Sequence, residues 1–291
     1  PAYTHLLWAF EGITSYYDDL MLLRSGCIPV EAYLEALTET MNRVFQGLGR
    51  FKQTLKESSF DAWTKFYQPN ENSPNSVISY YTKGALCALL CDLHIRMVSN
   101  QTHSLDDVMK KLWTLYGRTS VGLSDQDLER LLIEFGTESI KPLLDLCLNT
   151  TEELPLKESL QAFGVTLSFD YSEASSSLVG EIPASMGMTV TGNELLTIQY
   201  VIEDSAAMKA GLSAQDVLVA FDNSRVTANN YQTLLLRKKP LEKINVHVFR
   251  EERLLSFDVT LQEAQKNQAK LVLMDLLNDS QKSLRLGWLG Q

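Results

Sequence analysis

The sequence predicts a multidomain α+β protein, with an all-helical part over residues 1–163, a β-rich domain over 164–262 and a helical tail over 263–291. Three observations carry this. A length of 291 residues is more than one domain usually holds. Up to about residue 160 apolar residues recur at intervals of three and four, the helical period. From Val165 onward the texture changes to short β-branched and aromatic runs that alternate in polarity.

The elements follow in order. "LLWAFEGITSYYDDLMLLRSG", Leu6 to Gly26, sets Leu6, Phe10, Ile13, Tyr17 and Leu20 on one helical face, with Glu11 beside that stripe. "VEAYLEALTETMNRVF" follows Pro29, which suits a helix start. "NSPNSVISY" opens with turn residues and leads into a largely buried helix, "SYYTKGALCALLCDLHIRM". Ser104 and Ser124 are N-cap residues for "SLDDVMKKLWTLYG" and "SDQDLERLLIEFG", and Gly117 and Gly136 end them. "TESIKPLLDLCLN" completes the helical set, and "TEELPLKESLQAFG" leads out of it. The predicted strands are "VTLSFDY", "MTVTG", "LLTIQYVI", "VLVAFD", "INVHVF" and "LLSFDVTL", with turn chemistry in "EASSS", "TGNE" and "DNSR". Short helices are expected in "SAAMKAGL" and "TANNYQTLLLRKK", and a polar helix in "QEAQKNQAKLVLMDLL".

Composition narrows the function. A hydrophobic fraction of 45% with 21% charged residues is that of an ordinary globular protein. The formal net charge of −10 argues against a nucleic-acid partner, because acidic surfaces repel phosphate. No apolar run approaches the roughly 20 residues that span a bilayer, so no membrane partner is expected. "PAYTHLLWAF" lacks a basic n-region and a cleavage site and is not a signal peptide. The chain reads as a piece cut from a longer protein. The cytoplasm is the expected compartment, with the periplasm left open. Cys27, Cys87, Cys91 and Cys147 do not have zinc-ribbon spacing and read as small apolar residues.

A carboxylate beside an apolar stripe needs a partner, since an unpaired charge in apolar surroundings is costly. The residues alone leave two options for Glu11: a salt bridge to Arg24 or Lys83, or favour from the helix dipole in a first turn. Trp8, Glu11, Gly12, Thr14, Tyr16, Tyr17, Leu20, Leu22, Arg24 and Gly26 together follow a "W-x-x-EG-x-T-x-YY-x-x-L-x-L-x-R-x-G" pattern. This pattern resembles the glycyl aminopeptidase family of gluzincin metallopeptidases. "SVISYYTKGALCALLCDLHIR" resembles the same family's "SYY-x-KG" helix.

The resemblance implies that Glu11 is a zinc ligand. It implies that Tyr81, two residues before Lys83, stabilises the oxyanion, with Tyr80 its neighbour. A phenol suits that role because it donates a hydrogen bond without losing its proton. Alternatively, both tyrosines are core aromatics. The implied fold is the helical C-terminal half of a thermolysin-like catalytic domain. The departure from the family is that no HExxH occurs. His5, His94, His103 and His247 are the histidines, and none has another four residues away. Two histidine ligands and the general base are therefore missing from this chain.

In the second half, Ser205, Ala207, Ala210, Gly211, Leu212, Asp216, Leu218, Ala220 and Asp222 form a pattern that resembles a PDZ domain of the bacterial protease type. "SMGM", Ser185, Met186, Gly187 and Met188, matches the carboxylate-binding loop of such domains. The resemblance implies capture of peptide C-termini by β-augmentation, with Met186 and Met188 lining the pocket. Otherwise the loop is an ordinary start to a strand, Gly187 serves only backbone conformation, and the domain is a structural appendage. The expected function is part of a zinc-dependent aminopeptidase acting on peptide substrates. A preference for N-terminal Gly or Ala is implied by the family name only. The alternative is a non-catalytic PDZ scaffold that binds peptides.

Overall fold

The computed structural model describes residues 3–119, 121–171 and 182–290. The "EASSS" turn lies outside the described residues. Two compact units result. The first comprises Pro1–Gln68, Val77–Ser168 and Ala269–Gln291, and the second comprises Pro69–Ser76 and Phe169–Gln268.

The first unit is helical. A π-helical turn, Trp8–Ile13, runs into α1 (Thr14–Arg24), followed by α2 (Val30–Phe45), α3 (Leu55–Phe60) and, beyond a second π-turn at Ala62–Phe66, α5 (Thr82–Val98). The short α4 (Ser73–Ser76) lies in the stretch that groups with the second unit. Then come α6 (Leu105–Leu112), α7 (Asp125–Gly136), α8 (Lys141–Asn149) and α9 (Leu156–Ala162). Local chemistry sets the starts. Thr54 with Glu57, Ser104 with Asp107 and Ser124 with Asp127 form capping boxes that satisfy otherwise orphaned N–H groups. Helix α5 is the centre of this unit. Its residues from Lys83 to Leu93 are all buried, as expected of a helix that is apolar on nearly every side.

The first helical segment is rotated from the predicted stripe. Trp8, Gly12, Ile13, Tyr16, Leu20 and Leu23 are buried, whereas Phe10 is 51% exposed. The π-turn adds a residue to the helical ring, so spacing counted for an α-helix misplaces the inward face.

The tail also differs. Strand β1 (Val165–Asp170) pairs with β10 (Gln268–Leu273), so "QAKLVL" is a strand inside the segment expected to be helical. A helix, α12 (Asp279–Leu289), begins only at the Asn278 cap.

The second unit is a small mixed domain. A two-residue pair joins β2 (Ala184–Ser185) to β9 (Gln262–Glu263). The main sheet has the order β3 (Met188–Thr191), β4 (Leu196–Val201), β5 (Val217–Phe221), β7 (Lys243–Arg250), β8 (Arg253–Thr260), with β6 (Ser224–Arg225) on β5. Helices α10 (Ala206–Ala210) and α11 (Tyr231–Leu236) are the two short ones expected. The repeated pattern residues have structural jobs here. Ser205 caps α10, and Gly211 ends it at φ +92° in the left-handed region. Asp216 is fully buried and receives two hydrogen bonds from Arg250 at 2.7 Å.

Candidate active site

Glu11 sits on the π-turn, and its neighbour Gly12 decides where the turn can go. A Cβ on Gly12 would lie 2.5 Å from the carbonyl carbon of Gly84 and 2.6 Å from its Cα. A Cβ on Gly84 would lie 2.9 Å from the Trp8 carbonyl oxygen. The two backbones therefore cross in direct contact, which only a pair of glycines permits. The crossing brings the residue before Gly12 to the start of α5, where Tyr81 stands.

The salt-bridge options for Glu11 fail. Arg24 pairs with Asp106 at 3.0 Å. Lys83 is 1% exposed and its Nζ has no hydrogen-bond partner among the described residues. Burial pushes the Lys83 ammonium below the usual lysine range. Glu11 is half-buried, and no described residue hydrogen-bonds or ion-pairs with its carboxylate. It occupies the first turn of its segment, where the helix dipole favours it.

Three tyrosine hydroxyls gather near the start of α5. Tyr80 is 1% exposed and its hydroxyl donates to that of Tyr67 at 2.9 Å. The hydroxyls of Tyr67 and Tyr81 share a second hydrogen bond at 3.0 Å. Phe66 packs on both neighbours, with ring centroids 5.2 Å from Tyr80 and 5.8 Å from Tyr81. The hydrogen bond with Tyr67 pushes the Tyr81 phenol above its ordinary value, burial adds to this, and the negative charge of Glu11 pushes the same way. Burial raises Tyr80 further still. Both phenols stay protonated at neutral pH and act as donors, not as bases. The Gly12–Gly84 contact joins the segments that carry the two predicted site residues, Glu11 and Tyr81.

The histidines lie elsewhere. His5 stacks on Phe60 and pairs with Asp125, His103 pairs with Asp107, and His247 is on β7. His94 Nε2 is satisfied by Gly136 O at 3.2 Å and Ser139 Oγ at 3.0 Å. No group of three or more His, Cys, Asp or Glu side chains suited to a metal occurs among the described residues. One carboxylate does not make a tetrahedral zinc site.

In the second unit, Gly187 has φ +67°, and a Cβ there would lie 2.3 Å from Ser205 Cβ, so glycine is required for both conformation and space. Ser185 Oγ accepts from Gly187 N–H at 3.0 Å, which occupies one donor of the loop. Met186 is 1% exposed and belongs to the core, so it does not line a groove as expected from the sequence. Met188 is only partly buried and starts β3. β3 ends the sheet order, so among the described residues one of its edges is unpaired.

Residues 1–87 match the family model "M61 glycyl aminopeptidase", and residues 184–261 match "PDZ domain". The chain joins M61 glycyl aminopeptidase sequence to a PDZ domain. The crystal structure of an aminopeptidase N family protein from Idiomarina loihiensis superposes with a TM-score of 0.91 at 36% identity. The match covers 98% of this chain and 49% of that one, so the chain spans about half the length of this relative. A serine endoprotease from Yersinia pestis matches over 29% of this chain and 30% of its own, at 20% identity and a TM-score of 0.27. No curated protein matches the chain.

Within the M61 segment, the glycines of the "EG" and "KG" motifs are the two that meet at the helix crossing. Tyr67 is the residue that reading the sequence missed. Its only signal there is its place beside Phe66, just before the turn-rich "QPNENSPN". No helix among the described residues is long and apolar enough to cross a membrane.

Proposed function

We propose that this chain supplies the glutamate-and-tyrosine side of an M61 metallo-aminopeptidase active site and carries a PDZ domain that takes peptide C-termini. The observation behind the first part is the Gly12–Gly84 backbone contact, which brings the segment of Glu11 onto the start of α5 beside Tyr81 in sequence. Glu11 would be one carboxylate ligand to zinc. The histidine ligands and general base would come from sequence outside this chain, so dialysed chain is expected to hold well under one equivalent of zinc. Tight one-to-one zinc would overturn that division. Tyr81 would donate its hydroxyl proton in a hydrogen bond to the oxyanion that develops when the peptide carbonyl is attacked. A preference for N-terminal Gly or Ala rests on the family name.

The experiment is substitution in the full-length protein that bears the chain. Glu11→Gln should weaken zinc binding. Tyr81→Phe should leave zinc bound and lower turnover by about 10²–10³-fold, the usual loss for one oxyanion donor. Full activity of Tyr81→Phe would sink the assignment. A second reading, a peptide-binding module without catalysis, is favoured by the unpaired edge of β3. In that case both substitutions leave peptide binding by the PDZ domain untouched and no hydrolysis occurs in any form.

A further inference from the structure

The tyrosine cluster contains more hydroxyls than one oxyanion donor needs. Three hydroxyls bring three protons. Tyr80 gives its proton to Tyr67, and one more is used between Tyr67 and Tyr81. One proton remains for an outside acceptor, and it is on either Tyr67 or Tyr81. An anion facing Tyr81 selects between these. It draws the Tyr81 proton outward, which leaves the Tyr81 oxygen to accept from Tyr67 while Tyr67 accepts from Tyr80. All three hydroxyls then point one way, and each donor is polarised by the one behind it.

We propose that Tyr67 is a positioning residue for the oxyanion donor, its hydroxyl linking the buried Tyr80 to Tyr81 in a one-way chain that ends on the substrate. This rests on the reading of Tyr81 as that donor. Two further observations support it. Tyr67 comes from a different segment, just after the π-turn Ala62–Phe66, so its meeting with Tyr81 is a tertiary arrangement and not an effect of neighbouring positions. Its ring is held on Trp63 with centroids 5.2 Å apart and edge-on to Phe66 at 5.4 Å, which fixes where the hydroxyl points.

The test is Tyr67→Phe, which keeps the ring and its stacking. Two readouts apply. The full-length Tyr67→Phe variant should bind a phosphinic peptide, a tetrahedral transition-state mimic, about tenfold more weakly. Unchanged affinity overturns the proposal. In the full-length protein, Tyr67→Phe should lower kcat about tenfold with KM unchanged, since the bond strengthens only when charge develops on the substrate. Added to Tyr81→Phe it should cost nothing more, because its effect runs through Tyr81. A further loss in the double variant also overturns the proposal. If Tyr81→Phe hydrolyses peptides at the wild-type rate, the peptidase reading of Tyr81 fails, and the relay to a substrate fails with it. If only Tyr67→Phe keeps full activity, the relay alone is lost and Tyr81 stands.

Discussion

Gly12→Ala is the sharpest probe of how this site is assembled. The added Cβ would sit 2.5 Å from one backbone atom of Gly84, 2.6 Å from another and 3.0 Å from the Ala85 nitrogen. Carbon atoms in contact prefer about 3.5–4.0 Å, so the two segments must part by about 1 Å. Backbone cannot rotate out of the way as a side chain can. Overpacking of this kind costs about 1–3 kcal/mol. In a unit of 150–250 residues each kcal/mol lowers the melting temperature by about 2–4 °C, so a fall of roughly 2–12 °C is expected. The same displacement moves Glu11 against Tyr81, and a shift of about 1 Å in a reacting constellation lowers turnover about 10²-fold. Thermal unfolding by circular dichroism measures the first effect and peptide hydrolysis by the full-length protein the second. Gly122→Ala is the control: nothing lies within 4 Å of its added Cβ. Equal melting temperatures for Gly12→Ala and Gly122→Ala would refute the close crossing as the cause of the site's geometry.

Other expectations concern charge. Asp92 is fully buried and accepts from Tyr16 Oη at 2.7 Å, Arg96 Nε at 3.0 Å and Leu105 N–H at 2.8 Å, so Asp92→Ala should destabilise by about 3–5 kcal/mol in urea titration. Lys83→Met should by contrast leave stability unchanged or raise it, because the buried Nζ it removes has no partner; a large loss would show that Lys83 is paired. The hydroxyl and backbone N–H of Ser124 hold Asp127 at about 2. A depressed carboxylate stabilises the fold above its unfolded-state pKa and loses that contribution as pH falls through the folded value, so amide protection factors at the start of α7, referred to intrinsic rates at each pH, should fall between about pH 4 and pH 2. Peptides with apolar C-termini should shift amide resonances of Gly187 and Met188, and C-terminal amidation or Met188→Asp should abolish the shifts, since the loop's N–H groups select negative charge. Shifts indifferent to amidation would exclude carboxylate capture.

Local chemistry was readable without the fold. Ser104 and Ser124 cap the helices that follow them because a capping box needs only residues within one turn. The alternating runs from Val165 became strands because alternation has no use in a helix. The pairs Glu11–Gly12 and Lys83–Gly84 marked the two segments whose backbones cross. Their contact was not readable, since a backbone crossing joins residues some 70 positions apart and leaves only two glycines as its trace. The tail misled for a related reason: "QAKLVL" has weak alternation of its own and is a strand because β1, about 100 residues earlier, offers it hydrogen bonds. Tyr67 met Tyr80 and Tyr81 in the same way. Nothing in "WTKFY" distinguishes a hydroxyl that completes a chain from one that meets water, because that depends on which groups the folded chain brings within 3.0 Å of it.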